Sequence, residues 1–139
     1  MTPFDRKVRA RIYELFVDEA RAVDASVLAE ASGWDVPDVA ESLERLALGH
    51  RIALTDDGAV QMAHPFSGVP TSYISRIGRR WWYANCGWDV LAILALLGDG
   101  EAHGPNGLEW HVRDGYVQPD GIVHLLVPAR RFWEDVGFT

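Results

Sequence analysis

The sequence is poor in the features that define several large classes of protein. Its single cysteine, Cys86, excludes a disulfide within the chain. Lys and Arg number 13 against 20 Asp and Glu, whereas binding to nucleic acid or to an anionic membrane relies on clustered basic residues. The longest apolar run, residues 90–97, is far shorter than the roughly 20 residues that cross a bilayer, and the charged N-terminus has no signal-peptide core. We therefore expect a cytoplasmic protein without a nucleic-acid or membrane partner.

Common catalytic and binding motifs are also missing. The sequence has no G-x-x-x-x-G-K-[ST] or G-x-G-x-x-G loop to hold phosphates, and no G-x-S-x-G turn to present a nucleophilic serine. None of the five histidines is paired at H-x-x-x-H spacing. His64, next to a proline, has no second ligand at a suitable spacing, which favours a packing or capping role over that of a ligand or base. His111 and His124 are interpreted as ordinary sheet residues.

Residues 1–63 have the pattern of a winged-helix-like lobe. Apolar residues at helical spacing predict a first helix over residues 4–22, a second ending at Gly33 and a third beginning near Val36 and stopping at Gly49. Residues 51–54 and 59–62 then flank a turn that contains Asp-Gly, which predicts a hairpin. Three helices followed by a hairpin suggest DNA binding through the third helix.

The charge of the third helix argues against that function. This segment and its approach carry four acidic residues and one arginine, so it would repel phosphates. We rank a winged-helix regulator last among the possible functions; the charges in question are those of Asp35, Asp38, Glu41, Glu44 and Arg45.

The rest of the chain predicts an α+β protein. Residues 64–80 are interpreted as an irregular connector, rich in proline and glycine, followed by a strand pair joined at Gly78. Residues 81–139 predict a mixed lobe of short strands around one buried helix, with residues 122–127 as a central strand and residues 129–136 as a short helix.

The start of the buried helix contains the best candidates for chemistry. Asn85 predicts an N-cap, which places Cys86 at the first helical position and Asp89 in the first turn, with their side chains about 60° apart. The helix dipole favours a thiolate at Cys86. Asp89 would repel that thiolate as a carboxylate, or supply a proton as a carboxylic acid in an apolar pocket.

A purely structural interpretation of the same two residues stays open at this point. Cys86 lies four residues before Val90 on the apolar stripe of the helix, and free cysteines are among the most buried residues. An aspartate in the first turn of a helix is ordinary dipole complementation. The residues alone therefore predict either a reactive pair or two residues that merely begin a helix.

Residues 83–89, YANCGWD, followed by an apolar helix, resemble the active-site segment of the alkylmercury (organomercurial) lyases. The resemblance covers most of the chain. It includes a winged-helix-like lobe, a connector like HPFS at residues 64–67, a strand pair running into a Cys-x-x-Asp helix, and a β-rich C-terminal lobe. It implies the same α+β fold and a catalytic segment centred on Cys86 and Asp89.

The resemblance also implies a reaction, the cleavage of a carbon–mercury bond by protonation. Cys86 would bind mercury as a thiolate, because mercury(II) is a soft ion, and Asp89 would shuttle a proton to the departing carbon. The partners implied are a small organomercurial substrate, a mercury(II) product and external small thiols. No cofactor is implied.

The sequence departs from the family at one position. The family uses a second cysteine near the C-terminus, where this sequence ends without one. Either the sequence stops short of that cysteine, or the chain is a single-thiol relative that takes its second thiolate from outside. A non-catalytic relative that binds mercury or another soft metal through Cys86 alone is the second hypothesis.

Overall fold

The structure is a computed structural model that describes residues 1–20, 23–122 and 128–134. These residues form four α-helices and eight β-strands in an α+β fold, which confirms the predicted fold class. The chain divides into two compact units, Met1–Ala63 and His64–Thr139. Within the described residues, no helix is long and apolar enough to span a membrane.

The first unit contains three helices and a hairpin. Helices α1 (Pro3–Glu19), α2 (Ala25–Ser32) and α3 (Val36–Leu48) precede strands β1 (Ala53–Leu54) and β2 (Val60–Ala63). Helix α1 ends earlier than predicted because Ala20 turns into the left-handed region at φ 50°. The core of this unit is formed by the apolar faces of the helices, including Val8, Ile12, Leu15, Leu28, Val39, Leu43 and Leu46.

A buried polar cluster joins α1 to α3. Asp5, which is 1% exposed, accepts hydrogen bonds from Ser42 Oγ at 2.8 Å and from Arg45 Nη2 at 2.9 Å. Arg45 also pairs with Glu41 at 3.5 Å. The one arginine of the predicted recognition helix is therefore held by two carboxylates of its own chain.

The described residues of the second unit form a six-stranded antiparallel sheet with one α-helix. The strands lie in the order β3-β5-β4-β6-β7-β8. A short 3₁₀ helix, Pro105–Gly107, lies between β6 and β7, and another covers Ala129–Glu134. The elements of the sheet and its helix are β3 (Phe66–Ser67), β4 (Tyr73–Ile77), β5 (Arg80–Ala84), α4 (Gly87–Leu97), β6 (Gly100–His103), β7 (Glu109–Arg113) and β8 (Tyr116–Gln118).

Helix α4 lies against strands β4, β5 and β6. Its buried residues Val90, Ile93 and Leu94 recur at three- and four-residue spacing, so they form the face that packs on the sheet. Ser75 of β4, fully buried, donates a hydrogen bond from Oγ to the Val90 carbonyl oxygen at 2.8 Å. The apolar face and this hydrogen bond together hold α4 against the sheet.

Several predicted elements differ from the structure. The connector is not wholly irregular, because Phe66 in β3 pairs with Ala84 of β5. Gly100 begins strand β6, and strand β8 adds an edge to the sheet that the sequence does not predict. The short C-terminal helix is of the 3₁₀ type. The predicted strand over residues 122–127 lies outside the described residues except for Ile122.

Gly100 occupies a position that excludes any side chain. A Cβ atom there would lie 2.2 Å from the Arg76 carbonyl oxygen and 3.0 Å from Leu94 Cδ2. The contact with the backbone of the paired strand β4 can be relieved only if strands move apart. The absence of a side chain at residue 100 thus allows β6 to pair with β4 beneath α4.

We expect Gly100→Ala to destabilise the protein by about 3 kcal/mol, as overpacking against backbone commonly does. Thermal unfolding followed by circular dichroism measures the change. The matched control is Gly121→Ala, whose added Cβ would meet, among the described residues, Trp110 Nε1 at an ordinary 3.6 Å. Equal unfolding temperatures for the two variants would contradict the predicted clash.

Candidate active site

The candidate site is built around the first residues of α4. Cys86 is the N-cap of this helix, with extended backbone at φ −156°, and Gly87 is the first helical residue. The prediction that Asn85 is the N-cap is therefore wrong by one position. Its side chain bonds elsewhere: Asn85 Nδ2 donates to Asp89 Oδ2 at 2.9 Å and lies 3.3 Å from the carbonyl oxygens of Pro65 and Phe66.

Asp89, in the first turn of α4, is the buried acid of the site. Its residue exposure is 3%, and its carboxylate has polar partners. His64 Nδ1 lies 3.3 Å from Oδ1 and 3.2 Å from Oδ2, and Asn85 donates to Oδ2. The carboxylate is therefore buried, as the prediction of an acid in an apolar pocket requires. Polar contacts with His64, in the connector, and with Asn85 hold it in place.

His64 connects this carboxylate to the solvent. Its side chain is 49% exposed, whereas that of Asp89 is 4% exposed. The hydrogen bond to Asp89 raises the pKa of His64, burial opposes the shift, and the negative charge of Asp89 adds to it. The pairing thus favours the imidazolium form of His64 beside the Asp89 carboxylate.

Cys86 is half-buried in the same site. Burial raises the pKa of its thiol. The backbone N–H groups of Asp89 and Trp88 act in the opposite direction, while the charge and hydrogen bonding of the Asp89 carboxylate raise the pKa further. The expectation that the helix dipole favours a thiolate is therefore outweighed by burial and by the neighbouring carboxylate.

A cavity of about 490 Å³ opens next to these side chains. Trp88 and Leu96, which belong to its apolar wall, are 62% and 68% exposed, so the wall can be reached from solvent. An apolar cavity of this size with a few convergent polar groups is the usual form of a small-molecule site. The residues lining the cavity are His64, Pro65, Cys86, Trp88, Asp89, Ala92, Leu96 and Phe132.

The structure places the two predicted site residues, Cys86 and Asp89, in one cavity, and it adds two that sequence reasoning did not assign to the site. The sequence favours a packing or capping role for His64 and predicts Asn85 as an N-cap. His64 lies 25 residues before Asp89, so no helix or strand period relates them. Within the described residues, no group of three or more His, Cys, Asp and Glu side chains could hold a metal ion.

The fold and the site define an α+β protein with a half-buried thiol, a buried acid and a solvent-facing imidazole around an apolar cavity. The structure is similar to the crystal structure of the mercury-bound form of MerB2, with 25% sequence identity and a TM-score of 0.66. The similarity covers 86% of this chain and 62% of that chain, so this chain spans less than two thirds of the length of that protein. The fold is thus MerB-like.

Comparisons at the level of sequence add no relative. No protein-family model matches the chain, and no curated protein matches it.

Proposed function

We propose that this protein is an organomercurial lyase that cleaves carbon–mercury bonds by protonation. The observation that carries the proposal is that Cys86 and Asp89 line the same apolar cavity at the start of α4. Two likenesses support it: the sequence around residues 83–89 resembles the active-site segment of these lyases, and the fold resembles that of MerB2, which was solved with mercury bound.

The first step is the binding of mercury to Cys86. The mercury of an organomercury cation is a soft acid, and sulfur is its preferred ligand in a protein. The raised pKa means that Cys86 meets the substrate as a thiol. A sulfur–mercury bond forms and the thiol proton is released, so the affinity of sulfur for mercury compensates for the cost of removing that proton.

The second step breaks the carbon–mercury bond. Asp89, bearing a proton, delivers it to the carbon, which leaves with the electron pair of its bond to mercury as a neutral hydrocarbon. Mercury(II) stays on Cys86 until small thiols remove it and return a proton to the sulfur. Because the carboxyl is buried and one of its oxygens is held by Asn85, the acid is already oriented when the substrate binds.

The cavity indicates what organic group the substrate carries. Apart from Cys86, Asp89 and His64, its lining is apolar or aromatic, so it favours a hydrocarbon over a charged or hydrogen-bonding group. At about 490 Å³ it has room for a phenyl ring as well as for a small alkyl group. We propose that both phenylmercury and methylmercury are substrates.

We propose that the second thiolate on mercury is an external small thiol when the chain of residues 1–139 acts alone. Cys86 is its only cysteine, and a second sulfur donor would add electron density to mercury and weaken the bond to carbon. An external small thiol bound to the same mercury supplies that donor. We therefore expect the rate of cleavage to increase with thiol concentration until the mercury is saturated.

The proposal is tested by incubating the protein with phenylmercury and excess glutathione, and measuring benzene by gas chromatography. We expect several benzene molecules per chain, well above a protein-free control. Mass spectrometry of the same samples gives the mercury retained by each chain. One mercury held per chain with no benzene released would instead support the alternative, a relative that binds soft metals through Cys86 without catalysis.

A further inference from the structure

The path by which a proton reaches Asp89 is visible in the contacts around it. The Asp89 side chain is 4% exposed, so water has little direct access to its oxygens. His64 Nδ1 lies within 3.3 Å of both oxygens, and about half of the His64 side chain (49%) is exposed to solvent. Because an ionised carboxylate only accepts hydrogen bonds, the nitrogen facing it carries the hydrogen.

We propose that His64 is the residue through which protons from water reach Asp89 in each catalytic cycle. The inference rests on the proposed function, because it explains how the acid that protonates the carbon is recharged. Under this proposal His64 does not touch the substrate carbon. It is a positioning and proton-donating partner of Asp89.

Before reaction, His64 is imidazolium and Asp89 is carboxylate. The Nδ1 proton passes to an Asp89 oxygen, which leaves a neutral imidazole and a carboxylic acid. The acid then gives this proton to carbon as the carbon–mercury bond breaks, and Asp89 returns to carboxylate. The neutral ring takes up a new proton from water, to which it is exposed, and the original state is restored.

Asn85, a second polar partner of the acid, cannot perform this role. Its amide does not ionise near neutral pH, and its Nδ2 is already directed at Asp89 Oδ2 and at two backbone carbonyl oxygens. Its contacts fix the orientation of the carboxylate. The remaining candidate donor is the Cys86 thiol, whose proton is released when mercury binds.

The experiment compares His64→Ala and His64→Asn with the wild type in single-turnover cleavage of phenylmercury, with protein in excess over substrate. We expect both variants to release benzene about 100-fold more slowly, as the loss of a proton-transfer group does, with unchanged mercury binding. Asparagine places an amide N–H near the position of Nδ1, so it can orient Asp89. Its amide does not ionise near neutral pH, so it cannot pass a proton to Asp89. Thermal unfolding checks that both variants are folded.

Imidazole rescue separates proton delivery from orientation. Free imidazole added to His64→Ala should restore much of the rate, because it can occupy the space that the side chain leaves. The matched control is Asp89→Asn, which imidazole should not rescue. Wild-type rates in both His64 variants would overturn the inference and show that the proton reaches Asp89 without His64. A wild-type rate of benzene release in His64→Asn, with His64→Ala still slow, would also overturn the inference. His64 would then only orient the Asp89 carboxylate.

The same assay keeps the two proposals apart. If the wild type releases no benzene, the proposed lyase function fails and this inference fails with it. If the wild type is active and the His64 variants equal it, only the inference fails. A lower pKa of His64 in Asp89→Asn, measured by NMR titration without mercury, would independently support the pairing, and an unchanged pKa would contradict it.

Discussion

Replacing Cys86 with serine is expected to reduce the kcat/KM for benzene release from phenylmercury by at least about 1,000-fold, or about 4 kcal/mol of transition-state stabilisation. A serine hydroxyl is a hard oxygen donor with a much higher pKa than a thiol, so it does not replace a proton with mercury. Without the sulfur–mercury bond, the carbon is no longer held next to Asp89. Mercury retained per chain should fall to background in the same variant.

The control for this prediction is stability. Cys86 is half-buried and serine differs from it by one atom, so the unfolding temperature should change by no more than a few degrees. Cys86→Ala, which cannot form even a weak oxygen contact, should be as inactive as the serine variant. Benzene release at the wild-type rate in either variant would mean that Cys86 is not the mercury ligand.

The sequence was sufficient to predict α4 and the placement of Cys86 and Asp89 at its start. The apolar residues Val90, Ile93 and Leu94 recur with the period of a helix, and that period is a local property of the chain. Two residues three apart at a helix start are brought to one side by helix geometry alone. The pair could therefore be located without any knowledge of the tertiary fold.

The partners of Asp89 could not be predicted in this way. His64 reaches the acid because the connector runs back past the start of α4, where Phe66 pairs with Ala84. That course depends on strand pairing between distant segments, which no local pattern specifies. The N-cap prediction failed for a related reason. The Asn85 side chain bonds to the connector and to the side chain of Asp89, not to the backbone N–H groups of the first turn of α4.

The pKa of the Cys86 thiol likewise could be predicted only in part from the sequence. The helix dipole can be deduced from the sequence, and it does lower the pKa of the thiol through backbone N–H groups. How deeply the thiol is buried depends on what packs around it.

Gly100 is a parallel case in the sheet: glycine is common in turns, but here the carbonyl of Arg76 requires it within a strand.

Asp89→Asn is expected to separate mercury binding from cleavage. Asparagine is nearly isosteric and keeps a polar side chain next to Asn85 and His64, but it cannot deliver a proton to carbon. We expect benzene release to fall by a factor of about 100 to 10,000, the usual range for a lost general acid. Mercury retained on Cys86 should stay near one per chain, since the sulfur is untouched.

The pH dependence of thiol alkylation gives this variant a second readout. In the wild type, burial and the Asp89 carboxylate raise the pKa of Cys86, so alkylation by iodoacetamide should reach half its maximal rate above the ordinary pH for a cysteine. Asp89→Asn removes the negative charge while burial and the backbone N–H groups remain, so the profile should shift to lower pH and alkylation at pH 7 should become faster. A thiol that is more reactive toward iodoacetamide, in a protein that no longer releases benzene, would assign the lost activity to the proton of Asp89. An unshifted alkylation profile with full benzene release would remove Asp89 from the mechanism.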